Sequence, residues 1–192
     1  MNKEIIVISH THWDREWYKP LEEFRAQLAD MIDNLLDILD RDERFKYFHL
    51  DGQTVVLEDY FHERPQNRDR LEHYIREGRV LIGPWYVQPD EFLVSGEAHI
   101  RNLLIGHRIA RRYGTIMKVG YLPDCFGHIS QMPQILRGFG IDSAMFWRGV
   151  GKEITTTEFT WEAPDGSRVF TIYLRYGYSN AVELPLEEEQ LL

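Results

Sequence analysis

The most informative group of residues in the sequence is a histidine and aspartate alternation that follows an apolar run. Residues 5–8 are all β-branched and apolar, and His10, His12 and Asp14 come next at every second position. Residues two apart in an extended chain point to the same side, so these three side chains share one face. Imidazole and carboxylate groups together suit zinc and similar divalent ions. The spacing therefore indicates a metal site, and the alternative is that both histidines are hydrogen-bonded residues at a strand end.

A catalytic zinc usually has three or more protein ligands, so a partner must come from elsewhere in the chain. Asp124, in the segment Tyr-Leu-Pro-Asp-Cys-Phe-Gly-His of residues 121–128, is the best candidate. Cys125 is its neighbour and would point the opposite way in an extended chain, so we interpret Cys125 as a small packing residue.

Strands and helices alternate along most of the sequence. The predicted strands cover residues 5–8, 45–50, 79–87, 117–121 and 141–147, and the predicted helices cover residues 21–39, 55–62, 69–77, 98–113 and 134–139. A hairpin is predicted over residues 159–176, and residues 186–192 resemble the opening of another helix. The alternation predicts an α/β fold with parallel strands, either an open sheet or a barrel.

Polar residues follow the carboxyl ends of all five predicted strands. In addition to the histidine and aspartate run, these residues are Asp51, Asp90, Glu91, Asp124 and Arg148. The carboxyl ends of parallel strands form the active face of α/β barrels and sheets. Five separate segments therefore deliver polar groups to one rim, and we expect them to form a site.

Aromatic residues are frequent beside the same segments. Trp17 lies three residues after Asp14, and Phe126 lies two residues after Asp124. Aromatic rings can stack on the apolar face of a sugar, whereas acids and arginine bind its hydroxyl groups. Core packing explains most of the aromatic residues, and Trp17 is the one expected to face a ligand.

Three segments carry a family resemblance. Residues 10–18, 83–91 and 120–128 resemble, in the right order, the motif blocks of glycoside hydrolase family 38, especially its bacterial branch. The resemblance implies a seven-stranded β/α barrel at the N-terminus and retaining hydrolysis of α-mannosides through a covalent intermediate. Residues 1–192 would then be the N-terminal catalytic domain of such an α-mannosidase, with an α-mannoside carbohydrate as its substrate.

The same resemblance assigns roles to individual residues. It implies one zinc ion held by His12, Asp14 and Asp124, with Asp124 also acting as the catalytic nucleophile. The substrate-binding residues would be Trp17, Phe126, Arg148 and Asp90, and His10 would be a supporting residue. Arg148 would keep Asp124 ionised through its nearby positive charge.

The family also uses a further zinc-binding histidine and a general acid, which have no match in these 192 residues. We therefore expect a chain truncated at its C-terminal end, and residues 1–192 alone are predicted to bind zinc weakly and to turn over no substrate. If the chain does prove active, Asp90 and Glu91 are the first acids to test. An incomplete barrel would leave a strand edge unpaired and prone to association, so a homo-oligomer is possible.

Two other functions fit part of the pattern. A metal-dependent amidohydrolase or polysaccharide deacetylase would also place histidines and aspartates at strand ends, and it would use a metal-bound hydroxide instead of a carboxylate nucleophile. A non-catalytic sugar-binding fragment is the second alternative.

The composition of the chain argues against several classes of function. The net charge is −9 and no stretch is strongly basic, so nucleic-acid binding is not expected. The apolar run at residues 5–8 is too short for a secretory leader or a membrane span. Cys125 is the single cysteine, which excludes an internal disulfide and favours a reducing compartment. The sequence thus predicts a cytoplasmic enzyme that does not contact a membrane.

Overall fold

The computed structural model describes residues 6–182, 184, 185 and 187, and in these residues helices alternate with short strands. The helices are α1 (Leu21–Arg41), α2 (Val55–Glu63), α3 (Arg68–Arg76), α4 (Gly96–Tyr113) and α5 (Met132–Gly138). The strands are β1 (His10–Thr11), β2 (Phe48–Leu50), β3 (Val80–Leu81), β4 (Gly120–Leu122), β5 (Ser143–Phe146), β6 (Glu158–Glu162) and β7 (Arg168–Tyr173). The predicted α/β class is confirmed.

The strands form two sheets in which parallel pairing dominates. The first sheet has the order β1-β2-β3 and is parallel throughout. The second has the order β4-β5-β7-β6, and only β6 runs antiparallel to its neighbour. A parallel bridge between Ile82 and Ile116 links the segment after β3 to the segment before β4. The described strands do not show the closed seven-stranded barrel, because they form two separate sheets.

Helix α1 follows directly from its apolar spacing. Its buried residues recur three or four positions apart, as an amphipathic helix requires; they are Phe24, Leu28, Ala29, Ile32, Leu35, Leu36 and Leu39. Pro20 precedes its first turn, where its fixed φ suits a helix start. Glu22 and Glu23 lie in that turn, where acidic side chains stabilise a helix by interacting with the positive end of its dipole. Helix α1 thus packs its apolar face over the first sheet and α2.

Two apolar clusters form the core. The first joins α1, α2 and α3 to the first sheet, and it includes the fully buried residues Leu28, Leu50 and Leu71. The second joins α5 to the second sheet and includes Leu122 and Phe146. Each cluster therefore lies beneath strands whose carboxyl ends carry predicted site residues.

The prediction of a buried strand at residues 5–8 is wrong for the described part. Ile6, Val7 and Ile8 are exposed by 78%, 56% and 59% and lie outside any strand. Pairing begins instead at Ser9, whose carbonyl accepts the N–H of His49 at 3.0 Å. A β-branched run becomes a buried strand only where other layers cover it, and the described residues do not cover this one.

The other predicted elements lie close to those observed. Every predicted helix within the described residues is present, with its ends within about two residues of the observed ones. The third predicted strand, over residues 79–87, is reduced to Val80–Leu81. The fourth overlaps β4 at two positions only. The predicted helix at residues 186–192 lies, apart from Glu187, outside the described residues. Across the described part, no helix is both long and apolar enough to cross a bilayer.

Candidate active site

His12 lies at the centre of the polar residues on the carboxyl-terminal rim of the strands. Its Nε2 atom is 3.8 Å from Oδ2 of Asp14 and 3.8 Å from Oδ2 of Asp124. Its Nδ1 atom is 3.3 Å from Oδ1 of Asp51. Residues from the ends of β1, β2 and β4 therefore meet at one imidazole, as the rim argument predicted.

Asp51 fixes the orientation of His12 from beneath. Its carboxylate is fully buried, and Oδ2 accepts the main-chain N–H of Trp13 at 2.8 Å and Nε2–H of Gln53 at 3.0 Å. Oδ1 accepts Nδ1–H of His12, and in the neutral ring this leaves Nε2 without a hydrogen. The sequence placed Asp51 on the rim but did not predict this contact, and the only available signal was an acid following the second strand.

Nε2 of His12 has the features of a metal ligand. It is buried and has no hydrogen-bond partner among the described residues, and it faces two carboxylates. A carboxylate that receives the other ring hydrogen is the usual support of a metal-binding histidine. Burial lowers the pKa of His12, but the hydrogen bond and charge of Asp51 and the charges of Asp14 and Asp124 outweigh it and raise the pKa above its ordinary value. The carboxylates around His12 therefore favour a positive charge on its ring.

The cluster places an imidazole nitrogen beside two carboxylates, but these atoms are not at metal-coordination distances. Asp14, Asp51 and Asp124 supply three carboxyl groups around His12, and the guanidinium of Arg148 contacts only Asp124 among them. Tetrahedral zinc ligands lie about 3.3–3.6 Å from one another, and the observed separations from Nε2 are 3.8 Å. Accordingly, no group of three or more His, Cys, Asp or Glu in the described part of the chain has a geometry ready to hold a metal.

Arg148 lies beside Asp124, as the resemblance implied. Its Nη2 atom contacts Oδ1 of Asp124, and the contact is an ion pair without the angles of a hydrogen bond. The guanidinium lies 4.0 Å from the ring centroid of Phe126 and 4.8 Å from that of Trp147. These cation–π contacts hold the positive charge next to the Asp124 carboxylate.

Trp17 and Phe126, two of the predicted substrate-binding residues, present exposed rings. Trp17 is 74% exposed and packs its edge against Tyr18, at 5.0 Å between centroids. Phe126 is 68% exposed beneath the Arg148 guanidinium. Both rings are therefore accessible to a ligand.

Asp90, the remaining predicted substrate-binding residue, lies apart from these contacts. Its carbonyl accepts the N–H of Leu93 at 3.1 Å in a turn, and its carboxylate joins none of the contacts of the His12 cluster. Its neighbour Glu91 is buried, with its carboxylate against His128 at 2.6 Å. Glu91 is therefore turned away from solvent, and the structure does not favour it as the acid to test first.

His10 and Cys125 do not enter the cluster. Nε2–H of His10 donates to the carbonyl of Tyr178 at 2.7 Å, and the ring of Tyr178 packs on His12 with centroids 4.5 Å apart. His10 thus supports a residue that covers the predicted ligand. Cys125 is buried, its thiol donates to the carbonyl of Pro89 at 3.1 Å, and burial raises its pKa well above the ordinary range. Its interpretation as a packing residue agrees with these contacts.

Comparison with known proteins identifies the family. Residues 2–189 match the family described as "Glycosyl hydrolases family 38 N-terminal domain". The chain belongs to glycoside hydrolase family 38. It is 43% identical, over 99% of its length, to a protein of Halalkalibacterium halodurans described as "Putative mannosylglycerate hydrolase", and covers 23% of that protein. Human alpha-mannosidase 2C1 is 31% identical over 93% of the chain, which covers 18% of it.

A solved structure gives the same result in three dimensions. The crystal structure of an alpha-mannosidase from Enterococcus faecalis V583 superposes with a TM-score of 0.92 at 40% identity, covering 96% of this chain and 21% of that one. This family 38 chain therefore spans less than a quarter of the length of these relatives. The homologues are α-mannosidases, so the enzyme class suggested by the sequence motifs is confirmed at the level of the family.

Proposed function

We propose that this chain supplies the zinc-binding and nucleophile-bearing part of a retaining α-mannosidase that acts in a reducing compartment such as the cytoplasm. The observation that carries the proposal is the convergence of Asp14 and Asp124 on the unpartnered Nε2 of His12. Family membership supplies the substrate class, and the single buried cysteine supports the compartment.

The metal would be held by His12, Asp14 and Asp124, with Asp51 orienting the imidazole. Bound there, zinc would act as a Lewis acid that holds sugar hydroxyl groups and fixes the ring for attack. Zinc would bind Nε2 only in the neutral ring whose hydrogen is on Nδ1, and the hydrogen bond from Nδ1–H to Asp51 would hold the hydrogen there.

Asp124 is the proposed nucleophile. Its carboxylate oxygen would bond to the anomeric carbon while the bond from that carbon to the leaving oxygen breaks, and the leaving oxygen would take a proton from a general acid. Water would then attack the same carbon, return its proton to that acid and release Asp124 as a carboxylate. Arg148 would hold its positive charge beside Asp124, and Trp17 and Phe126 would stack against the sugar.

We also propose that the two sheets are arcs of one seven-stranded β/α barrel that forms the N-terminal catalytic domain. The parallel bridge between Ile82 and Ile116 supports this, because it joins the two sheets in the direction a barrel requires. An experimental structure of the complete gene product tests the proposal. It predicts that another strand pairs with the outer edge of β1, and an unpaired edge there would contradict it.

The decisive experiment for the activity is covalent trapping. The complete gene product is incubated with zinc and a fluorinated α-mannoside, and the labelled peptide is mapped by mass spectrometry. We expect the label on Asp124, loss of the label in Asp124→Ala, and unchanged labelling in the control Asp142→Asn, which alters an exposed acid. A metal-dependent deacetylase or amidohydrolase would hydrolyse an amide substrate and leave the protein unlabelled. A sugar-binding fragment would neither hydrolyse a substrate nor become labelled.

Residues 1–192 alone should bind zinc weakly and turn over no natural mannoside, because they supply three proposed ligands and no proposed general acid. Loss of an acid costs about 10²–10⁴-fold in rate. Aryl mannosides, mannosylglycerate and mannose oligosaccharides form the substrate panel for the complete product. Robust turnover of a natural mannoside by residues 1–192 would show that an acid lies within them.

A further inference from the structure

A buried acid–histidine pair lies next to the nucleophile segment and takes no part in the proposed chemistry. Nδ1 of His128 is 2.6 Å from Oε1 of Glu91, and Oε2 of Glu91 accepts the main-chain N–H of Ile129 at 2.9 Å. The side chain of Glu91 is fully buried and that of His128 nearly so. Burial of two ionisable groups is costly unless each is fully paired, so this pair requires an explanation.

Both ring nitrogens of His128 face acceptors. Nδ1 faces the Glu91 carboxyl group, and Nε2 is 2.8 Å from the main-chain carbonyl of Arg148. A carbonyl can only accept, so Nε2 must carry a hydrogen and donate it. All these contacts are satisfied when the pair holds two protons between its members, either as carboxylate and imidazolium or as carboxylic acid and neutral imidazole.

The pair joins three loops, each of which follows a strand. Glu91 follows β3, His128 follows β4, and Arg148 follows β5. The loops after β4 and β5 also touch through their main chains: a Cβ atom at Gly149 would lie 2.8 Å from the nitrogen of Gly127, and φ at Gly149 is 86°. The main chain at residues 148 and 149 is therefore held from two sides.

We propose that the Glu91–His128 pair is a positioning device for Arg148 that sets where its guanidinium meets Asp124. This inference rests on the proposed function, because Asp124 is the proposed nucleophile. His128 does not touch the guanidinium; it holds the carbonyl of residue 148, and the side chain extends from that fixed main chain to Asp124. Moving a supporting group of this kind usually costs about 10–100-fold in activity.

Two substitutions separate the contacts of His128. Glutamine places its amide nitrogen near the position of Nε2, and asparagine places its amide nitrogen near that of Nδ1. His128→Gln therefore keeps the donor to the Arg148 carbonyl, whereas His128→Asn keeps only the donor to Glu91. Each variant is made in the complete gene product, alone and combined with Arg148→Ala, and His107→Asn serves as a control at a buried histidine in α4.

The measurements are kcat and KM for an aryl α-mannoside, the rate of covalent labelling by a fluorinated mannoside, and the melting temperature. We expect His128→Asn to lower kcat and the labelling rate by about 10–100-fold and His128→Gln to lower them by less than about fivefold. Both variants should melt below the wild type, because each leaves one buried partner of His128 without its hydrogen bond. In the Arg148→Ala background, His128→Asn should add less than about twofold, because coupled residues are not additive. The control should keep the wild-type kcat.

Other results would overturn the assignment in distinguishable ways. Equal losses in the asparagine and glutamine variants, or a loss that is fully retained in the Arg148→Ala background, would show that the pair does not act through residue 148. A fall in melting temperature with unchanged kcat would assign the pair to stability alone. A wild-type protein that neither binds zinc nor hydrolyses any mannoside would overturn the proposed function, and the inference with it.

Discussion

Replacement of Asp51 by asparagine should weaken zinc binding by changing the hydrogen placement on His12. In the native protein Oδ2 of Asp51 accepts N–H groups of Trp13 and Gln53, and Oδ1 accepts Nδ1–H of His12. Asparagine has one acceptor oxygen, which the two donors at Oδ2 hold in place. Its NH2 group then faces His12, so Nδ1 accepts and the ring hydrogen moves to Nε2, the proposed ligand atom.

The cost follows from the burial of these groups. Zinc can bind His12 of the Asp51→Asn variant only if the hydrogen returns to Nδ1, where it would face the NH2 group of residue 51 in a fully buried position. A buried donor left without an acceptor costs about 1–3 kcal/mol, which is about 5- to 150-fold in a dissociation constant. Supporting partners of metal-binding histidines usually contribute about 10–100-fold. We therefore expect zinc to bind about 10–100-fold more weakly.

The assay is competition for zinc with a chromogenic chelator, with the melting temperature measured on the same samples of the complete gene product. Asp33→Asn is the matched control, because Asp33 accepts the hydroxyl of Tyr60 at 2.7 Å and Nδ2–H of Asn67 at 2.8 Å, in contacts that are separate from the His12 cluster. The control should lose stability and keep its zinc affinity.

A second variant sharpens the test. Asp51→Ala removes the NH2 group and leaves Nδ1 of His12 free to keep its hydrogen, so it should bind zinc better than Asp51→Asn while losing more stability. Zinc affinity of Asp51→Asn within about threefold of the wild-type value, in a folded protein, would refute the reasoning. The same holds if Asp51→Ala proves the weaker zinc binder of the two.

Two further predictions concern the fold that carries the site. A Cβ atom at Gly106 in α4 would lie 2.2–2.6 Å from main-chain atoms of residues 84–86, so Gly106→Ala should destabilise the protein by about 1–3 kcal/mol or more. Gly96→Ala, which meets nothing within 4 Å, should be neutral or slightly stabilising in the same urea titration. Asp59→Ala should cost about 2–3 kcal/mol, below the usual range for a buried pair because Arg15 remains partly hydrated. Asp59 accepts Nε–H and Nη2–H of Arg15 at 2.8 and 2.9 Å, and we infer that this pair anchors the segment around Arg15. Its loss should speed proteolysis of that segment, and unchanged cleavage there would contradict the anchoring.

The helices could be predicted from the sequence because their signal is local. The buried positions of α1 recur every three or four residues, and that pattern alone implies one apolar face. The strands were predicted less accurately, since a strand exists only where another strand pairs with it. Residues 6–8 have the composition of a buried strand and are exposed, and residues 82–87 form only isolated bridges at Ile82 and Trp85 instead of a continuous strand.

Part of the candidate site could likewise be predicted from the sequence, and part could not. The spacing of His12 and Asp14 brings them to one side of an extended segment, and the motif around Asp124 indicates the third proposed ligand. The three proposed ligands could therefore be predicted from residue types and spacing alone. The contacts of Asp51 with His12 and of Glu91 with His128 join residues 39 and 37 positions apart. Such contacts cannot be predicted from a local sequence pattern, because sheet register and loop packing determine which loops meet. Only the tertiary structure therefore showed how the proposed ligands and the nucleophile are held.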